Sequence, residues 1–128
     1  MGQPVVHFEV IGRDPAGLRH FYARLFGWEF DTSGPVALSV SEAGNYGFVA
    51  KTTASNGAGI PGGVGGGAGY AGHALFYVGV PDVEDALAQA ERLGGHQQMG
   101  PVLTPGGNLA VGRFVDPEGN LIGVAGVV

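Results

Sequence analysis

Hydrophobic and polar residues alternate along Val5–Ile11, with Val6, Phe8 and Val10 on one side and His7, Glu9 and Ile11 on the other. A period of two predicts a strand with one face against a core. Asp14-Pro15 then offers a helix cap followed by proline at the first helical position. Beyond it Leu18, Phe21, Tyr22, Leu25 and Phe26 recur at helical spacing, a stripe suited to covering a sheet, and Gly27 supplies the stop. Strands are predicted over Trp28–Asp31, Val36–Val40 and Tyr46–Thr52. The order returns in the second half. ALFYVGV reads as a strand, and Asp82 caps a helix striped by Val83, Ala86, Leu87, Ala90 and Leu93. Gly94-Gly95 closes that helix, and His96 opens a further strand. Leu109–Val115 and Leu121–Val128 then flank the turn Asp116-Pro117-Glu118-Gly119-Asn120. Laying Asp14 on Asp82 brings Val10 onto Val78, Leu18 onto Ala86, Leu25 onto Leu93 and Gly27 onto Gly95. Each half is thus a β-α-β-β-β module. The repeat is too long for a stacked solenoid, whose units run ~20–50 residues. It fits a duplicated module with a site between the two copies.

Composition changes this picture at one place. Glycine makes up 26 of the 128 residues, and much of the excess lies in ASNGAGIPGGVGGGAGYAG. Glycine packs no side chain and loses the most backbone freedom on ordering, so this tract reads as a flexible linker. The expected organisation is one domain, 1–128, with module one at 1–53, linker at 54–72 and module two at 73–128. The tract holds two G-x-G-x-x-G matches, Gly57 to Gly62 and Gly67 to Gly72. A dinucleotide loop needs a helix directly afterwards. Pro61 interrupts one match and a strand follows the other, which favours the linker.

Charge and cysteine usage narrow the function classes. A formal charge of −5 gives no basic face for a phosphate backbone, so no nucleic-acid partner is expected. The absence of Cys removes disulfides, a thiolate nucleophile and zinc knuckles. No basic leader followed by a long apolar run opens the chain, and no apolar run reaches the ~18 residues of a membrane span. A cytoplasmic protein without membrane partners is expected.

The sharpest chemistry is His7 with Glu9, which alternation sends to one face of the first strand. An imidazole beside a carboxylate makes a general base, because the anion favours the protonated ring. In the blander reading Glu9 holds Arg113 or a backbone amide and His7 is a polar wall residue. Arg113 lies within the half-apolar strand LAVGRFVD, where it could clamp a ligand carboxylate, pair with Glu9 or cover the rim. His20 reads as a solvated helix residue, and His96 as a partner of helix C-terminal carbonyls. Tyr46, Tyr77, Phe48, Phe76 and Trp28 supply aromatic surface, mostly for the core, with one or two of them available to line the pocket.

The strand VVHFEV, the helix motif HFYARLFGW, the LGG at Leu93 to Gly95 and the ending FVDPEGNLIGV together resemble the vicinal oxygen chelate superfamily. That superfamily includes glyoxalase I, bleomycin-resistance proteins and extradiol dioxygenases. The resemblance covers nearly the whole chain. It implies an α+β fold of two paired β-α-β-β-β modules forming a cupped, mostly antiparallel sheet with helices on the outer face. It also implies a homodimer and a divalent metal held by up to four His and Glu ligands from the first and last strands of each module. His7 matches the first-strand ligand. The matching position in module two is Leu75, with His73 two residues earlier, and the terminal Glu position is Gly123. Tyr46 to Asn56 contain no Glu, Asp or His. The expected function is therefore a glyoxalase/bleomycin-resistance-like protein with a degenerate metal site and no metal cofactor. It would bind a small, partly apolar metabolite or drug in the cup between modules. His7, Glu9, Arg113 and His73 are the expected binding residues, and His7 and Glu9 the expected acid–base pair if there is catalysis. The alternative is a metal-dependent lyase, isomerase or dioxygenase using His7 and His73 as ligands.

Overall fold

Alternation, caps and glycines act locally, and in the computed structural model they can be followed over residues 2–50, 53–54 and 57–128. Two units emerge: His7–Ala74, and Met1–Val6 with Leu75–Val128. The fold is α+β, and each unit carries one helix and a four-stranded sheet.

In the first unit, strand β1 (Val5–Gly12) leads to helix α1 (Pro15–Phe26). The Asp14 side chain accepts from the Gly17 N–H at 3.1 Å, and Gly27 ends the helix in the left-handed conformation at φ 71°. Strands β2 (Phe30–Asp31) and β3 (Gly47–Val49) follow, then the short pair β4 (Thr53–Ala54) and β5 (Gly57–Ala58). Strand β6 (Gly62–Gly66) completes the sheet in the order β2-β3-β6-β1, parallel to β1 and antiparallel to β3.

Two expectations change here. The predicted strand Val36–Val40 is a helical turn, closed by the Val40 and Ser41 N–H groups on the Ala37 carbonyl. Its buried residues Val36, Ala37 and Val40 have helical spacing, and a shift of one residue hides that from a reading by alternation. The strand that takes its place lies inside the tract read as a linker. Gly62–Gly66 is buried throughout, because aromatic rings cover both of its faces. A Cβ on Gly62 would come to 2.1 Å from the Phe8 ring, and one on Gly63 to 1.9 Å from the Tyr46 ring. Glycine is selected there by close packing rather than by mobility. Strand Tyr46–Thr52 is seen as Gly47–Val49, and its last two predicted positions, Lys51 and Thr52, lie outside the described residues, as do Ser55 and Asn56 of the tract.

The second unit repeats the plan with β7 (His73–Gly79), α2 (Val83–Arg92), β8 (His96–Leu103), β9 (Leu109–Val115) and β10 (Leu121–Val127). Its order is β8-β9-β10-β7, with β10 parallel to β7 and antiparallel to β9. Asp82 caps α2 by accepting from the Asp85 N–H at 3.0 Å, as Asp14 caps α1. Asp116 staples the β9–β10 turn by accepting from the backbone N–H of Glu118 and of Asn120, each at 2.9 Å. Two clusters occupy the two faces of this sheet. Val83, Leu87 and Val124 pack on the α2 side, and Leu75, Tyr77 and Val111 on the other. The N-terminal segment belongs to this unit, with the Gly79 N–H donating to the Pro4 carbonyl at 2.8 Å.

Candidate functional site

Strand β1 divides its side chains as alternation requires. Phe8 turns to the α1 side, where its ring lies 5.0 Å from Trp28, and a Cβ on Gly12 would strike Leu18. His7 and Glu9 take the opposite face, and both reach Tyr46. The Tyr46 hydroxyl donates to Glu9 Oε1 at 2.8 Å, and His7 Nε2 lies 2.8 Å from the same hydroxyl oxygen. Glu9 is 3% exposed, and Tyr46 is equally buried. Burial holds the His7 imidazole below its ordinary pKa, while the neighbouring Glu9 carboxylate pulls the other way. Phe48, half-buried, tilts against Tyr46 at 4.8 Å and lies 6.5 Å from His7. The result is an imidazole–phenol–carboxylate group beside an aromatic wall.

The seat of Tyr46 is set by the register of β6. Glu9 pairs with Gly63, and the Tyr46 ring lies over that glycine. In the second unit Tyr77 pairs with Gly123, and the Tyr77 ring lies over that glycine, where a Cβ would come to 2.4 Å. The repeat places Val64 opposite Val10 and Val124 opposite Val78, so Gly63 and Gly123 are matching positions. Arg113, 4% exposed and directly across the β9–β10 ladder from Gly123, donates from Nε to the Tyr77 hydroxyl at 3.3 Å.

Each of the four residues singled out from sequence is placed within its own unit. His7 and Glu9 are joined through Tyr46. Arg113 is held by Tyr77 in the second unit. His73 stands at the start of β7, with Nδ1 2.9 Å from the Ala71 carbonyl oxygen. A separate cleft of about 700 Å³ in the second unit is lined by Gln3, Val80, Asp82, Gln89, Phe114 and Pro117 among others, and by none of these four.

The residues present do not fit a metal centre of the type the resemblance implies. Such a centre would draw a carboxylate from the Gly123 position, and by the repeat from Gly63. Each of these positions lacks a side chain, and a tyrosine ring fills the space a side chain would enter. Among the described residues no three His, Asp or Glu side chains come together as a group able to hold a metal ion. His7 Nε2 is engaged by Tyr46, and Glu9 Oε1 by the same hydroxyl.

Tyr46 is the site residue the sequence did not single out. It was one of several aromatics, and nothing in its neighbourhood marked it. The match of Gly63 with Gly123 comes from the strand register, Val64 opposite Val10 and Val124 opposite Val78, which the sequence repeat that lays Asp14 on Asp82 does not display.

Comparison with known proteins agrees with this architecture. The family model described as Glyoxalase/Bleomycin resistance protein/Dioxygenase superfamily matches residues 5–124. Among solved structures, a variant of Streptomyces coelicolor methylmalonyl-CoA epimerase in complex with 2-nitronate-propionyl-CoA superposes with a TM-score of 0.65 at 16% identity, over 97% of this chain and 96% of that one. A structure described as NAD-dependent benzaldehyde dehydrogenase from Legionella pneumophila gives 0.57 at 14% identity, over 95% and 98%. A superfamily member from Vibrio splendidus 12B01 gives 0.53 at 15% identity, over 99% and 100%. No curated protein matches the chain. At such identities the likeness is one of fold, and one scaffold hosts many chemistries.

Proposed function

The chain belongs to the glyoxalase/bleomycin resistance protein/dioxygenase superfamily, and from that premise we propose that it binds a small, partly apolar molecule without a metal ion. The observation that carries the reading is the pair of tyrosine rings seated over Gly63 and Gly123. They take up the room that metal-ligating side chains would need at those positions. The His7–Tyr46–Glu9 group supplies the polar anchor, and Phe48 and Tyr46 supply aromatic surface beside it. Arg113, oriented by Tyr77 in its own unit, is a second polar contact for an anionic ligand.

The working protein is a homodimer in this reading. The α1 stripe supports it: Phe21, Leu25 and Phe26 are 55%, 58% and 56% exposed, whereas Val83 and Leu87 of α2 are buried. An apolar helix face left in water is the usual mark of a missing neighbour.

The test has two arms. Elemental analysis of the purified protein should find well under one transition metal per chain, and a stoichiometric ion lost in His7→Ala would overturn the metal-free reading. Anilinonaphthalene sulfonate, an apolar anion, serves as the binding probe. His7→Ala should weaken its binding about tenfold, the effect of losing one hydrogen bond to a charged group. Unchanged affinity would remove His7 as the anchor.

A further inference from the structure

Helix α2 leaves part of its side of the second unit's sheet open. It lies against β8, β9 and β10, with Val83 and Leu87 buried beside Val124. Its neighbouring flank carries Asp82, Asp85, Ala86, Gln89, Ala90 and Leu93 at helical spacing, so these six form one stripe. That stripe turns to the cleft of about 700 Å³. Val78 of β7, Val80 just beyond it, Phe114 of β9 and Val124 of β10 make the apolar floor. The short side chains of Ala86 and Ala90 leave the room, and Leu93, 79% exposed, stands at the end of the stripe.

Volume and lining suit a small molecule, since pockets that take such ligands run ~300–1,000 Å³ and are mostly apolar with a few placed polar groups. Charge says which kind. Among the described residues, the charged side chains that line the cleft are Asp82, Asp85 and Asp116, all carboxylates. The partners described for them include amide N–H groups. Asp82 accepts from the Asp85 backbone, Asp85 from Gln89 Nε2 at 2.8 Å, and Asp116 from Asn120 Nδ2 at 2.9 Å. Amides orient a carboxylate without cancelling its charge. The α2 N-terminus offsets only roughly half an elementary charge against the two aspartates beside it. Hydrogen bonds from Asn120 hold the Asp116 carboxyl below its ordinary pKa, so it stays anionic at neutral pH. An apolar floor under an anionic rim matches an apolar molecule that carries positive charge, and it disfavours an anion.

We propose that this cleft is a second binding site, for a small hydrophobic cation: an aromatic or aliphatic body bearing an ammonium, amidinium or cationic heteroaromatic group. The body lies on Val78, Phe114 and Val124 against Ala86 and Ala90, and the cationic group meets the aspartates at the rim. Exposed ion pairs are weak, so the apolar floor supplies most of the affinity and the carboxylates select the sign of the charge. The site is distinct from the polar pair Tyr77–Arg113 of the same unit. Arg113 and Phe114 are successive on β9 and so point to opposite faces, and Tyr77 packs in the cluster across the sheet from Val124. The anchor proposed at His7 plays no part here, so the two readings stand or fall separately.

Thioflavin T, a permanently cationic dye whose fluorescence rises when its rotation is hindered, tests the site, with its uncharged benzothiazole counterpart as control. Wild type should saturate with thioflavin T at a single dye per chain and bind the neutral dye about fivefold less tightly. Asp82→Asn combined with Asp85→Asn keeps a capping side chain and an acceptor for Gln89 while removing two charges. It should weaken thioflavin T about fivefold, as two exposed ion pairs allow, and leave the neutral dye unchanged. Ala90→Trp fills the floor and should abolish binding of both dyes with the circular dichroism of the fold retained; Ala90→Leu is the milder form should the larger ring unfold the helix. His7→Ala should leave thioflavin T binding as it is. No binding in wild type, or binding that survives a filled floor, would overturn the site. Equal affinity for the two dyes, or full affinity in the Asn pair, would overturn the cationic class. Loss of the dye in His7→Ala would move the ligand to the His7 anchor and remove the cleft as its site.

Discussion

At the scale of single residues, the strand alternation around His7 was legible and its partner Tyr46 was not. Alternation alone puts His7 and Glu9 on one face, and the structure has them there. Tyr46 lies far along the chain and reaches them through the register of β6, which no local pattern encodes. Two predictions belong to this scale. Gly63→Ala should destabilise the fold by about 1–3 kcal/mol, the cost of forcing extra volume into a packed site, and Tyr46→Ala in the same chain should recover part of that loss. Urea unfolding of the two single variants and the double variant measures both; equal losses in Gly63→Ala with and without the ring would show that Tyr46 is not the obstacle. The second concerns pH. Burial holds the His7 pKa below its unfolded value of 6.5, so the unfolded chain binds that proton first as pH falls. The stability His7 contributes is complete above about pH 6.5 and is lost as pH drops through the unfolded pKa toward the folded one. Urea midpoints between about pH 8 and about pH 5 should therefore decline more steeply in wild type than in His7→Gln. Parallel curves would count against a buried neutral His7.

Among the elements, the helices and the β9–β10 hairpin announced themselves through caps and turn residues. Asp14, Asp82 and the Asp116–Asn120 turn make the hydrogen bonds their sequences predict. Strand β6 did not, because strands are read from alternating side chains and four of its five residues are glycine. Its fitness lies in the neighbours: Phe8 on one face, Tyr46 on the other, and Val64 fully buried between the glycine pairs. Val64→Ala removes two methyl groups from that position and should cost about 1–3 kcal/mol. The same change in an actual linker would cost almost nothing. Hydrogen exchange offers the complementary reading: the amides of 62–66 should exchange among the slow core amides of this unit, and rapid exchange would restore the linker interpretation.

For the whole molecule, the α1 stripe was read from sequence as the cover of a sheet, and much of it stands in solvent instead. Periodicity reports that a face is apolar, not which surface buries it. If a second copy does so, Leu25→Glu should convert a dimer into a monomer by light scattering at micromolar concentration, with the circular dichroism of the fold retained. A wild-type chain that is already monomeric there would end the dimer reading. The division of the chain has a different consequence, in the order of events during synthesis. Residues 2–6 are made before His7–Ala74, yet they belong with Leu75–Val128, and the Pro4 carbonyl is met by Gly79. At roughly 5–20 residues per second the intervening stretch takes about 4–15 s to make. During that interval His7–Ala74 can gather its own strands while the leading Val5 and Val6 wait with their backbone groups open to other chains. Arrested nascent chains ending before Gly79 should therefore be cut by protease near Val6, and full-length chains should resist. Residues 2–6, made before the stretch they flank, are in this sense placed after it.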